Sequence, residues 1–512
     1  MKMNFYGIIF KIFFLLFLTP VYSQWERSED IRESWSHTQI QKKDNALLLN
    51  STSLDSFITA TMSSYHIPGL SACILKEGEL VWHNAYGYAD VERKIPVTDS
   101  TLFDLASISK IITGTAIMQL YERGLLNLDD NVNNYLPPDL QVVNPYYPNI
   151  PITCRMILSG VSSIGWDWNF MGKYVVAGDS PIPLFDFLKN YFVPGGAYYR
   201  NRNYLSYPPG STYDGSDHAG KALLGYLVEA ITDTSFEEYC QKQIFAPLSM
   251  NETSWFLANL DTSHIARPYT WTPPIYKPSP HRGIPWYPNG LLRTSSLQLA
   301  RYLNAFMQKG TLENIKILDS STVALITKAH YPEIALPSGL IKMGLLWYQV
   351  YIGNRLVWGR WGSFDPGATT SMNYYEPEKS GVIVLTNQYG ADGVVKIRSA
   401  LFDYAVTIPT GILSSDENML GGFALRQNYP NPFNQSTLIE YNLPKAAHIR
   451  LVIYDVLGRK IKTLMDAKQP AGNFQTSWNG TNEFSLPVAT GVYLCLMDAG
   501  EFVKVTKLLL IK

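Results

Sequence analysis

A patch rich in Gly, Ser, Asp and Asn, running from Gly411 to Gly422, divides the 512-residue chain into two stretches of different kind. Before it, residues 51–410 mix helical stretches with strand-like runs such as Gly69-Leu-Ser-Ala-Cys-Ile-Leu75 and Gly381-Val-Ile-Val-Leu-Thr-Asn387. After it, short alternating segments recur, among them Ala447-His-Ile-Arg-Leu-Val-Ile-Tyr454 and Gly491-Val-Tyr-Leu-Cys-Leu496. Turn signals at Leu457-Gly458-Arg459 and Asn479-Gly480 separate them. Evenly spaced short strands predict a small antiparallel sandwich over 423–512. Charge divides at the same place: from 422 onward ten basic residues face six acidic ones, while the rest carries 32 against 37. Two domains fit this chain better than one.

The N-terminus predicts export. Lys2 and Lys11 supply positive charge, Ile12-Phe-Phe-Leu-Leu-Phe-Leu18 an apolar core, and Ser23 a small residue before Gln24. Residues 1–23 therefore read as a secretory signal peptide, and the polar residues 24–50 as a leader. No Cys follows the expected cleavage site, so a lipid anchor is not indicated. With no run of 18 apolar residues, no integral membrane segment is expected after signal cleavage. A net charge of −1 without a basic block argues against nucleic acid as a partner. Cys73, Cys154, Cys240 and Cys495 are too scattered for a disulfide framework, and Cys73 and Cys495, in strand-like apolar runs, read as buried thiols. Neither C-x-x-C nor H-x-x-x-H occurs, so no metal and no cofactor is expected.

The chemistry is concentrated between Phe103 and Gly124. Apolar residues at 108, 111, 112, 117 and 120 recur at helical spacing, and Gly124 is a natural stop. Ser107 stands at the start of this helix with Lys110 three residues on. An i,i+3 pair shares one face, so the Lys110 nitrogen can reach the Ser107 hydroxyl. A serine hydroxyl is a weak nucleophile until a base takes its proton, and a helix N-terminus offers N–H groups to a developing oxyanion.

The surroundings of this pair are specific. His66-Ile-Pro-Gly69, Phe103-Asp-Leu-Ala-Ser-Ile-Ser-Lys110, Leu125-Leu-Asn-Leu-Asp-Asp130 and Tyr135-Leu-Pro137 resemble the serine β-lactamase and penicillin-binding-protein family, in its class C and esterase-like branch. So do Ile244-Phe-Ala-Pro-Leu-Ser-Met250, Leu292-Arg-Thr-Ser295 and Met343-Gly-Leu-Leu-Trp-Tyr348. The resemblance implies an α+β fold: an antiparallel sheet flanked by helices, with an all-helical subdomain and the active site between them. The tail, through Leu425-Arg-Gln-Asn-Tyr-Pro-Asn-Pro-Phe-Asn434, Ile453-Tyr-Asp-Val-Leu-Gly-Arg459, Trp478-Asn-Gly480 and Ala489-Thr-Gly-Val-Tyr493, resembles the C-terminal sorting domain of the type IX secretion system. That implies an all-β, immunoglobulin-like sandwich, a Bacteroidetes-like source, and the secretion machinery as partner. The chain would pass the periplasm and reach the cell surface or medium with its tail removed. An accessory sandwich that binds carbohydrate is the alternative, supported only by Trp478.

The family's other motifs are altered. Its second motif, P-G-x-x-x-x-Y-x-N, here reads Pro209-Gly-Ser-Thr-Tyr-Asp-Gly-Ser-Asp-His218. One count puts Gly215 at the Tyr position; the other puts Ser216 there and His218 at the Asn position. Ser216 or Tyr213 would then relay the proton. The third motif is offered by Arg360-Trp-Gly-Ser363 before Asp365-Pro-Gly367, with Arg for the usual His and one extra residue. Arg360 can hold a carboxylate or oxyanion but cannot shuttle protons. The family's H-T-S-G becomes Gly160-Val-Ser-Ser163. Thirteen aromatics between Trp166 and Tyr213 either pack the helical subdomain or line an apolar pocket.

The expected function is an exported serine hydrolase. Ser107 attacks, Lys110 is the base, N–H groups at Ser107 and near Ser363 hold the oxyanion, and Arg360, Gly362, Ser363 and His218 bind substrate. Small carboxyl esters and D-amino-acid peptides rank above β-lactams as substrates, because K-T-G is missing. The alternative is a silent protein of the same fold that holds cell-wall peptide or another ligand.

Overall fold

The computed structural model describes residues 51–408 and, apart from 426, 427, 429, 430, 432, 435 and 501, residues 424–511. The expected signal peptide, leader and linker lie outside the described residues. The chain forms two units, divided between Ile408 and Pro409.

Runs from both ends of the first unit build one sheet. In chain order its main elements are α1 (Ser51–Ser64), β1 (Gly69–Lys76), β2 (Glu79–Asp90), β3 (Ile95–Pro96), α2 (Ser109–Glu122), α3 (His218–Thr232) and α4 (Ser296–Met307). They continue with β4 (Leu340–Met343), β5 (Tyr348–Ile352), β6 (Arg355–Phe364), β7 (Ala368–Tyr375), β8 (Ser380–Thr386) and α5 (Gly393–Thr407). The strands lie in the order β4-β5-β6-β7-β8-β1-β2-β3. Pairing is antiparallel, and the central pair sets Cys73 opposite Ile383. Side chains alternate across a strand, so one strand serves two cores. Ala72, Ile74, Val382 and Val384 pack with Leu54 and Ile58 of α1 and Ile397 and Leu401 of α5. Cys73, Leu75, Met372, Ile383 and Leu385 face the opposite way, into the helical layer that the chain builds between β3 and β4. This second, larger core carries the site.

Helix α2 follows a single 3-10 turn at Ala106–Ile108 and is buried over Ser109–Leu120. It ends where glycine permits. Gly124 has φ +67°, with Leu125 N–H donating to Leu120 O and Gly124 N–H to Tyr121 O. All four cysteines are free and buried, and burial pushes the thiols of Cys73, Cys154 and Cys495 up to about 12.

The second unit contains β9 (Ala424–Leu425), β10 (Thr437–Leu443), β11 (Ala447–Asp455), β12 (Lys460–Gln469), β13 (Gly472–Trp478), β14 (Gly491–Asp498) and β15 (Val503–Leu510). They form two antiparallel sheets, β9-β10-β13 and β12-β11-β14-β15. Ile439, Tyr441 and Leu443 of one sheet share a core with Leu451, Ile453, Cys495 and Met497 of the other. Gly458 and Gly480 take positive φ at the turns expected for them. Trp478 is no exposed platform: it is fully buried in this core, and its indole N–H donates to Thr481 O at 2.9 Å. Among the described residues no helix is long and apolar enough to cross a membrane.

Candidate active site

Ser107 sits in the 3-10 turn, ahead of α2, and the backbone before it is unusual. Ala106 has φ +46°, a left-handed conformation that a Cβ resists. Two side chains hold it there. Asp104 Oδ1 accepts the Ala106 N–H at 2.7 Å, and Ser109 Oγ donates to Ala106 O at 2.6 Å. Asp104 is itself placed by pairing with Arg293 across a two-stranded ladder. Local turn chemistry thus fixes the backbone that carries Ser107.

Lys110 Nζ lies 2.6 Å from Ser107 Oγ. The lysine is buried, and burial is the main cause that pushes its amine well below the usual range; the cations of Arg360 and Lys221 add to it, against Asp217. A lysine in such surroundings spends more of its time as the free amine, the form that accepts a proton.

Opposite this pair stands the start of α3. Asp217 caps the helix, accepting the Gly220 N–H at 2.6 Å, accepts the Ser162 hydroxyl at 2.5 Å, and pairs with Lys221 at 3.3 Å. Both members of that pair are almost fully buried. Burial raises the carboxyl and lowers the amine of the pair, each offset by the partner's charge. His218 follows. Its Nδ1 lies 2.6 Å from Asn289 Nδ2, and its ring packs against Trp166 and Trp168 at 5.2 and 4.8 Å between centroids. Burial, with Lys110 and Lys221, holds its imidazole well below the usual value.

The third wall is β6. Its Gly362 backbone passes so close to Ser107 that a Cβ there would run into Leu105 O and come within 2.9 Å of Ser107 N. Arg360, two residues back on the same face, is buried. One Nη1–H donates to Leu346 O at 2.5 Å, the guanidinium lies 5.5 Å from the Tyr348 ring, and Nε has no hydrogen-bond partner. Ser363 is exposed beside Gly362.

The two hydroxyl groups expected to relay protons each have close neighbours of their own. Ser216 donates to Asp214 Oδ1 at 2.5 Å in a turn that also binds its own N–H. Tyr213 lies across Gly160 and Gly215, where a Cβ would come within 2.9 Å of its ring and 2.8 Å of its hydroxyl. The aromatic run packs on itself and on a later residue: Phe187 and Tyr191 of the run, with Trp286 from outside it, are buried around Trp166. Asp217, Lys221 and Asn289 escape a reading of the sequence. A lone Lys in the apolar run of α3, four residues after Asp217, is the one signal that could have found the pair; Asn289 has none. Among the described residues no cluster of His, Cys, Asp and Glu is placed to hold a metal ion.

Residues 54–403 match the family described as Beta-lactamase. The chain belongs to the β-lactamase family. Within it, the chain is 29% identical over 228 residues to Protein flp of Staphylococcus aureus, which covers 44% of this chain and 43% of that one. The chain thus spans less than half the length of the curated relative it matches. Among solved structures, the octameric penicillin-binding protein homologue from Pyrococcus abyssi superposes with a TM-score of 0.58 at 22% identity, covering 91% of this chain and 97% of its own. The D-amino acid amidase from Ochrobactrum anthropi gives 0.55 at 19%, covering 69% and 98%. These place the first unit in the β-lactamase and penicillin-binding-protein fold. Residues 427–512 match the Secretion system C-terminal sorting domain, so this β-lactamase-family protein is exported by type IX secretion to the cell surface or beyond.

Proposed function

We propose that the protein is an exported serine hydrolase that acts on esters or amides through an acyl-enzyme on Ser107. One observation carries this reading: the Lys110 amine, lowered by burial and neighbouring cations, stands 2.6 Å from the Ser107 hydroxyl. As Ser107 Oγ bonds to the acyl carbon, its proton passes to Lys110 Nζ. N–H groups at Ser107 and near Ser363 receive the oxyanion. Arg360, Gly362, Ser363 and His218 line the substrate side, with Arg360 suited to a substrate carboxylate. Ser216 and Tyr213 are the hydroxyl candidates for relaying the proton to the leaving group. Small carboxyl esters and D-amino-acid peptides or amides are preferred to β-lactams, since β6 carries Arg360-Trp-Gly in place of K-T-G.

A labelled fluorophosphonate tests the proposal. Covalent labelling is expected in the wild type and lost in Ser107→Ala; a well-folded protein that takes no label and turns over no p-nitrophenyl ester sinks it. The second reading, a silent protein that holds an anionic peptide in the cleft, is favoured by Ser216 being turned onto Asp214 and by the buried excess of cations.

A further inference from the structure

The proposed hydrolysis needs a group that hands a proton to the leaving atom and later takes one from water. Ser216 spends its hydroxyl proton on Asp214, and Tyr213 is wedged between Gly160 and Gly215. His218 opens α3 itself, and three side chains hold its ring. Trp166 packs against the His218 ring at a tilt of 47°, Trp168 meets it edge-on, and Asn289, itself buried, lies 2.6 Å from Nδ1.

The Asn289 amide decides what that ring can do. With Nδ2 donating to Nδ1, the ring proton sits on Nε2, and Asn289 Oδ1 is left buried without a partner. With the amide turned over, Nδ1–H donates to Oδ1 across the same contact, and Nε2 offers a lone pair. A carbonyl facing Nδ1 also stabilises an imidazolium, which an amide NH2 would oppose. Only this orientation makes a base.

We propose that His218 is the proton carrier of this hydrolase, with Asn289 as its positioning residue. The inference rests on the acyl-enzyme reading above. As the bond to the leaving oxygen or nitrogen breaks, a proton passes from the Lys110 ammonium to His218 Nε2 and on to the leaving atom. In the second half, water gives a proton to Nε2 as its oxygen bonds to the acyl carbon, and that proton returns through Lys110 to the departing Ser107 Oγ. The charged groups around the ring are Lys110 of α2, Arg360 of β6, and Asp217 and Lys221 of α3. The cations keep any imidazolium short-lived, which favours release of its proton.

Leaving-group chemistry separates this role from packing. A p-nitrophenolate leaves without a proton, whereas an ethoxide needs one. In the full chain, His218→Gln is expected to keep the p-nitrophenyl burst within about 3-fold while steady turnover falls ~10²–10⁴-fold, with the acyl-enzyme trapped and visible by intact mass. Acylation by the ethyl ester of the same acid should fall by a similar factor. Asn289→Asp should move the acid limb of turnover to higher pH, because a carboxylate stabilises the imidazolium; a packing role would leave that limb in place. Nitrogen NMR of the wild-type ring should find Nδ1 protonated and Nε2 bare. The inference is overturned by an Nε2–H tautomer, by unchanged steady turnover in His218→Gln, or by loss of the burst along with everything else. A wild type with neither label nor burst rejects the hydrolase reading itself, and this inference with it.

Discussion

At the scale of single residues, close backbone approach and buried charge decide what the site can do. Gly362 is glycine because β6 runs against the turn that presents Ser107. Gly362→Ala must push strand and turn apart, and a displacement of about 1 Å at reacting groups can cost ~100-fold. The labelling rate of a folded Gly362→Ala variant should fall by about that factor. Lys110 adds a pH signature. Below its lowered pKa it is an ammonium and cannot take the Ser107 proton, so labelling should rise with pH through that value. The plateau should be reached where an ordinary lysine, near 10.5, would still be charged. The same shift acts on stability with a definite sign. An amine whose folded pKa is lowered binds fewer protons folded than unfolded, so it weakens the fold below its folded pKa, and the penalty fades as pH rises toward 10.5. Lys110→Met should therefore raise stability at neutral pH by ~1 kcal/mol in urea unfolding while abolishing labelling.

At the scale of elements, α3 is the part that holds most of the cleft together. Its cap, Asp217, serves Gly220 N–H, the Ser162 hydroxyl and Lys221 at once. Asp217→Asn can still cap, yet it leaves Lys221 buried without a carboxylate. Breaking such a pair costs ~3–5 kcal/mol, and most of it should return in Asp217→Asn/Lys221→Met, where the stranded charge is gone too. Denaturant midpoints of the two variants check this. The S-x-x-K pair was legible because two residues three positions apart share one helical face without any tertiary information. The partners of α3 were not: Ser162 is 55 residues from Asp217, and Asn289 is 71 from His218. Nothing in either local stretch announces the other. Ser216 shows what a residue count leaves out, since its hydroxyl donates to Asp214 within a local turn.

At the scale of the molecule, address and chemistry occupy separate units. The first unit carries every residue of the candidate site, and the second carries the sorting match. Deleting 423–512 should leave Ser107 labelling intact and trap the protein in the periplasm. Fractionation of producing cells, followed by labelling of each fraction, reads both outcomes. Alternating strands and turn glycines made the tail's two sheets legible, because a period of two with glycine at positive-φ turns leaves few other folds. The same pattern could not say that Trp478 is core rather than platform. Burial depends on which sheet faces it.

The amino-acid sequence by itself determined the division into two units, the pairing of Ser107 with Lys110, and the strands that open and close the large sheet. Each of these rests on spacing within a few residues. Tertiary structure alone decided which groups surround Ser107 and Lys110: Arg360 from a strand late in the chain, Asp217 and Lys221 from α3, and His218 held by Asn289. Burial and the distances between charges set their protonation, and those are properties of how distant segments pack, which local sequence does not encode.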